Sequence, residues 1–120
     1  GYELWKSDGT STGTVMVKDI YSGPDNQAVR PLSSDGYYPQ NAVGNTLYFI
    51  ANDGIHGEEL WKTDGTTSGT VMVKDINSGS DGTLLSRFMV VGNILYFVAD
   101  DGTEVELWIT DGTTSGTVQA

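Results

Sequence analysis

The sequence predicts an all-β protein built from repeats, and three observations predict it. Nearly the same eighteen residues occur twice, as "ELWKSDGTSTGTVMVKDI" from Glu3 and "ELWKTDGTTSGTVMVKDI" from Glu59, and begin again at Glu106 with "ELWITDGTTSGTVQA". The first two copies differ only where Ser and Thr exchange, at Ser7 and Thr63, Ser11 and Thr67, and Thr12 and Ser68. A second phrase, "AVGNTLYFIANDG" (Ala42 to Gly54), returns as "VVGNILYFVADDG" (Val90 to Gly102) at an offset of 48 residues. Finally, no stretch spaces apolar residues at helical intervals for long enough to specify a helix.

Each element follows from its side chains. "NTLYFIA" and "NILYFVA" are short apolar runs rich in aromatic and β-branched residues, bounded by Gly and Asn or Asp. They read as strands covered on both faces. In "EELWK", Leu60 points one way and Glu59 and Trp61 the other. "GTVMVKDI" puts Val71 and Val73 on one face and Met72 on the other. "RFMVVG" supplies a fourth, innermost strand, with "PQNAVG" as its counterpart. Asn45 and Asn93 follow Gly and suit left-handed turns, and Asp53-Gly54 and Asp101-Gly102 mark the next reversal.

Four strands in about 48 residues, joined by tight turns, describe one four-stranded antiparallel blade of a β-propeller or propeller-like repeat array. One blade cannot hide two apolar faces, so its neighbours must hide them. The "ELW" triplets begin at 3, 59 and 106, so 56 and then 47 residues separate them. The extra length is expected mostly in the connection after "KDI". The chain then divides into the outer half of a unit (1–20), a long connecting loop (21–41), a complete unit (42–76), and a second unit with a short connection (77–120). That is about two and a half units, fewer than the roughly 4 to 8 that close a propeller. The expectation is a segment of a longer repeat protein.

Composition narrows the partners. Sixteen acids against six bases give a net charge of −10, the opposite of the basic stripe that nucleic acid requires. The same charge disfavours anionic membrane surfaces. No apolar run approaches the roughly 20 residues of a membrane span. There is no cysteine, hence no disulfide and no thiolate metal site.

The pattern from Val43 to Ile76, "VGNTLYFIANDGIHGEELWKTDGTTSGTVMVKDI", resembles the bacterial ELWxxDGT repeat proteins. The resemblance covers nearly the whole chain outside residues 21–40. It implies an exported, extracellular or cell-surface, propeller-like scaffold, and it carries over no catalytic residue. The last unit departs from the pattern, with "TEVE" for the "HGEE" turn, Ile109 where Lys6 and Lys62 stand, and Gln119 for Met16 and Met72.

In "SDGTSTGT" and its repeats, Asp8, Asp64 and Asp111 are expected to accept backbone N–H bonds. Gly9, Gly65 and Gly112 permit positive φ there, making a structural turn rather than a cation site. Calcium has its best claim at "DINSGSDG", where Asp75, Asn77 and Asp81 alternate as oxygen donors. The acid that should close such a loop is missing, since Phe88 stands there, and the plain reading is an acidic solvated loop. Trp5, Trp61 and Trp108 are assigned to packing between blades rather than to sugar stacking. Tyr21, Arg30, Tyr37 and Tyr38 occur only in the first connection, where a ligand site would be grafted. His56, the only histidine, lies beside Glu58 and Glu59, but no nucleophile motif accompanies it.

The expected function is therefore non-catalytic, a structural or adhesive scaffold with no cofactor unless calcium binds. Its partners are further copies of the repeat, in cis or in trans, and surface glycans. The alternative is a self-assembling extracellular fibre or sheath subunit completed by strand pairing between copies. Lectin-like glycan binding is the third reading.

Overall fold

The computed structural model describes residues 2–23, 29–32, 42–79 and 82–120. Within them every element is a strand and every pairing is antiparallel. β1 (Leu4–Lys6) and β2 (Val15–Lys18) form a two-stranded sheet. β3 (Val29–Arg30), β4 (Ala42–Val43), β5 (Thr46–Asn52), β6 (Glu58–Thr63) and β7 (Val71–Lys74) form the second sheet, in which β3 and β4 both pair with β5. β8 (Leu84–Val91), β9 (Ile94–Asp100), β10 (Val105–Thr110) and β11 (Val118–Gln119) form a four-stranded meander. Among the described residues the sheets do not close into a barrel.

The register moves the extra residues of the first connection to a new place. Val29 and Arg30 face Ala51 and Ile50, as Leu85 and Ser86 face Ala99 and Val98 one unit later. Ala42 and Val43 face Leu47 and Thr46, as Val90 and Val91 face Leu95 and Ile94. β3 and β4 are thus two ends of one innermost strand, and the longer spacing falls between Arg30 and Ala42 rather than directly after "KDI". At the matching place β8 has a register shift between Ser86 and Met89, with Arg87 at φ 57°. A bulge already breaks the ladder there, so extra residues enter without disturbing paired backbone.

The tight turns differ from expectation in one respect. Gly44 (φ 59°) and Gly92 (φ 60°) hold the left-handed position, and Asn45 and Asn93 do not. With Gly first in a two-residue loop, these are the primed turns whose twist matches the strands they join.

Alternation along the strands builds two separate cores. Leu60 and Val73 join Tyr48, Ile50, Leu95, Phe97 and Trp108 in a cluster between the second and third sheets. Trp61 joins Ile20, Phe49 and Ala51, with Leu4 and Met72 packed against them, between the first and second sheets. The three sheets therefore stack in chain order, each with an incoming face carrying its Trp and an outgoing face carrying its Leu.

Candidate functional site

Each unit contributes one polar turn, built the same way three times. In the second unit, Asp64 Oδ1 accepts the Thr66 N–H at 2.9 Å and the Thr66 hydroxyl at 2.6 Å. Thr66 Oγ1 in turn accepts the Gly69 N–H at 2.9 Å. Thr70 Oγ1 donates to Thr66 O, so the hydroxyl shared between Thr63 and Thr70 at 2.6 Å must be donated by Thr63. Asp8 and Asp111 repeat these bonds with Thr10 and Thr113. The Thr hydroxyl, then the Thr N–H, holds each carboxyl below its ordinary pKa. Gly9, Gly65 and Gly112 take φ of 93°, 92° and 95°. A Cβ on Gly13, Gly69 or Gly116 would overlap the Asp carboxylate itself. The side chain and the glycine together form one closed turn.

These turns are where one unit meets the next. Lys6 Nζ donates to Gly65 O at 2.7 Å, and Lys62 Nζ donates to Gly112 O. Lys18 Nζ donates to Thr70 O and Lys74 Nζ to Thr117 O, both at 2.9 Å. In return Thr67 Oγ1 donates to Val17 O and Thr114 Oγ1 to Val73 O, both at 2.8 Å. Lys74 Nζ also lies 5.7 Å from the centroid of the Trp108 ring, within cation–π range. Both joints thus use the same three polar ties around a buried tryptophan.

Sequence reasoning missed the lysines. The signal was present, because the four lysines of the chain occupy only two repeat positions. Their partners are carbonyls of another unit, which periodicity within a unit does not reveal. The tryptophans divide: Trp61 and Trp108 are 7% exposed inside the joints, whereas Trp5 is 59% exposed.

Arg30 forms a two-pronged ion pair with Glu58, both contacts at 3.0 Å. The Tyr21 ring lies where a Cβ on Gly54 would stand, and its N–H donates to Glu3 Oε1 at 3.1 Å. Both residues are engaged within the fold, and Tyr37 and Tyr38 lie outside the described residues. Asn77 Nδ2 donates to Gly82 O at 2.6 Å and its N–H to Thr83 Oγ1 at 2.9 Å, so Asn77 shapes its loop. Asp75 keeps a buried Oδ1 without a partner, and Asp81 lies outside the described residues. Among the described residues no three acidic or His side chains converge. Asp75 and Asn77 alone do not make up the six to eight oxygens, roughly, of a calcium shell. His56 Nδ1 pairs with Asp53 Oδ2 at 2.6 Å, and that hydrogen bond raises the imidazole pKa.

Glu59 is fully buried. Its carboxylate receives the Ile76 N–H at 3.1 Å, the Asn77 N–H at 3.3 Å and the Thr83 hydroxyl at 2.7 Å. Burial outweighs these donors and pushes its pKa up to about 7. Glu3 binds Ile20 and Tyr21 in the same manner, so this acid ties the "ELW" strand to the end of its own hairpin. No family model, curated protein or solved structure matches the chain.

Proposed function

We propose that this chain is part of a non-catalytic, exported repeat scaffold with structural or adhesive roles, its units being blades of a propeller or of an open propeller-like array. The observation that carries the reading is the twice-built joint, in which the same lysines, threonines and tryptophan connect successive units. Repeat proteins place their stability in such nearest-neighbour contacts. The sequential meander of β8 to β11 supports the blade reading, and the resemblance to ELWxxDGT repeat proteins supports export to the cell surface. Among the described residues no helix is long and apolar enough to cross a membrane.

If the joints bear load, Lys74→Ala should cost about 1–2 kcal/mol, from one charge-assisted hydrogen bond and one cation–π contact. For a chain of 120 residues that lowers Tm by several degrees, about 4 °C per kcal/mol. Unchanged melting in both Lys62→Ala and Lys74→Ala would remove the scaffold reading. The exposed apolar side chains at both ends of the stack, Trp5 and Leu107 among them, favour a second reading, the self-assembling fibre or sheath subunit. Filaments in negative stain would select it over the scaffold. A Tm unchanged by EDTA would dismiss calcium at Asp75. A glycan array with no signal, or one that Tyr37→Ala and Tyr38→Ala leave unchanged, would dismiss glycan binding.

A further inference from the structure

Asp–Gly and Asn–Gly are the peptide bonds most prone to rearrange without an enzyme, because glycine has no Cβ to shield its nitrogen. In Asp–Gly the Gly nitrogen attacks the Asp Cγ and a C–N bond forms. One carboxyl oxygen leaves as water, taking the N–H proton and the carboxyl proton. Water then opens the succinimide ring at either carbonyl, returning Asp or giving isoaspartate, in which the chain runs on through the side-chain carbonyl. This chain carries seven Asp–Gly bonds. None of its six asparagines precedes a glycine, although turns of this kind take either residue. The faster-reacting pair, which loses ammonia rather than water, is absent from the sequence.

Five of the seven bonds lie wholly within the described residues, and all five are held alike. The N–H of Gly9 donates to Ser7 Oγ at 3.0 Å, that of Gly54 to Asn52 Oδ1 at 2.8 Å, and that of Gly65 to Thr63 Oγ1 at 2.9 Å. Gly102 donates to Asp100 Oδ1 at 2.9 Å and Gly112 to Thr110 Oγ1 at 3.0 Å. What recurs is an oxygen rather than a residue type, and it recurs in two different turns of the unit. Each carboxyl is also turned past its glycine. Oδ1 of Asp8, Asp53, Asp64, Asp101 and Asp111 accepts the N–H of the residue after that glycine, at 2.9 Å in every case. At Asp8, Asp64, Asp101 and Asp111 the Thr hydroxyl and then the Thr N–H lower the carboxyl pKa. At Asp53 burial raises it, and the bonds from His56 and Ile55 more than offset that. All five acids are thus kept ionised, whereas ring closure needs the protonated acid, whose oxygen can depart as water.

We propose that the residue before each of these Asp–Gly pairs is a chemical lock, its side-chain oxygen holding the Gly N–H so that the succinimide does not form. Ser7, Asn52, Thr63, Asp100 and Thr110 are then positioning residues that protect the backbone of their own turns. The joints show what the lock preserves. Gly65 O and Gly112 O receive Lys6 and Lys62. Isoaspartate at Asp64 or Asp111 would add a carbon to the backbone immediately before those carbonyls and carry them away from the lysines. The lock concerns a bond within one unit, so it holds whatever function the array of units serves.

The test keeps the full chain folded in warm, mildly acidic buffer for weeks and quantifies isoaspartate at each Asp–Gly by peptide mapping with electron-transfer fragmentation. In the unaltered chain all five sites should react at least about fivefold more slowly than in urea, where the turns are open. Ser7 is exposed, so Ser7→Ala removes the acceptor without touching a core. It should speed the reaction at Asp8 about fivefold, the equivalent of one lost hydrogen bond, and leave the other four sites unchanged. Amide exchange in Val15–Lys18 should stay as slow as before, showing that the hairpin remains closed. Ser7→Thr, which places there the residue found at Thr63 and Thr110, should keep the site protected. Thr63→Val makes the same test at Asp64 should Ser7→Ala open the hairpin. Folded-state rates equal to those in urea would overturn the proposal. So would unchanged rates in both variants, or acceleration at all five sites together, which would mark a loosened fold rather than an opened lock. The melting of Lys62→Ala and Lys74→Ala bears on none of these rates, so the two readings fail separately.

Discussion

Gly69 and Asp64 show how closely single residues are matched in this protein. The carboxylate of Asp64 occupies the space that a Cβ on Gly69 would need, and from there it receives two bonds from Thr66. Gly69→Ala must therefore displace the carboxylate or shift the turn, at a cost of about 1–3 kcal/mol. Asp64→Ala loses the same bonds but leaves the space free. Once the carboxylate is gone, the added methyl has nothing to strike, so the double variant should be less destabilised than the sum of the two single ones. A double-mutant cycle in urea reads that coupling, and strict additivity would show that the methyl and the carboxylate do not compete. The repeated Asp-Gly signal made this turn legible in the sequence. The reason for the second glycine was not legible, because it lies in occupied space rather than in a special φ.

At the scale of the element, Glu59 fastens β6 to the chain leaving β7 through Ile76, Asn77 and Thr83. Its folded pKa of about 7 stands above the ordinary 4.5, so the folded state holds the proton more tightly than the unfolded chain. This stabilising contribution is complete below pH 4.5 and is lost as pH rises through 7. His56, raised by Asp53, acts in the same direction. The lowered carboxyls of Asp8, Asp64 and Asp111 act only under more acidic conditions, where their contribution is lost as pH falls. Tm should accordingly decline between pH 4.5 and 7.5, and Glu59→Gln should flatten that decline. Parallel slopes for the two proteins would remove the assignment to Glu59. Much of each element was legible in the sequence: the alternation in "EELWK" fixed which side Leu60 and Trp61 take, and the apolar runs marked β5 and β9. Of the innermost strand, the part next to the tight turn was legible as "RFMVVG" and "PQNAVG", but Val29–Arg30 was not, since "AVR" is too short to carry a pattern and only its register against β5 joins it to Ala42–Val43. The burial of Glu59 was hidden for a related reason, because an acid beside a tryptophan reads as solvated until its three donors are known.

Across the whole molecule, the two cores make unequal claims on stability. The larger cluster joins the second and third sheets through Leu60, Val73, Phe97 and Trp108. The first sheet is only the β1–β2 hairpin, which could not persist alone. The Trp61 cluster and the ties from Lys6, Lys18 and Thr67 hold it in place. Removing Trp61 should therefore release one end of the stack, and removing Trp108 should loosen the middle. In Trp61→Ala, amide exchange in Leu4–Lys6 and Val15–Lys18 should accelerate to the rate of an open hairpin, while Leu95 and Phe97 keep their protection. In Trp108→Ala, a cavity worth about 3–5 kcal/mol lies between the two larger sheets, and protection should fall throughout. Trp5→Ala, at an exposed position, should stay within about 0.5 kcal/mol of the unaltered chain. Hydrogen exchange resolved by residue separates these patterns. Uniform loss of protection in Trp61→Ala would mean that the hairpin and the larger sheets unfold as one unit, and that the stack is a single cooperative body rather than a series of joints.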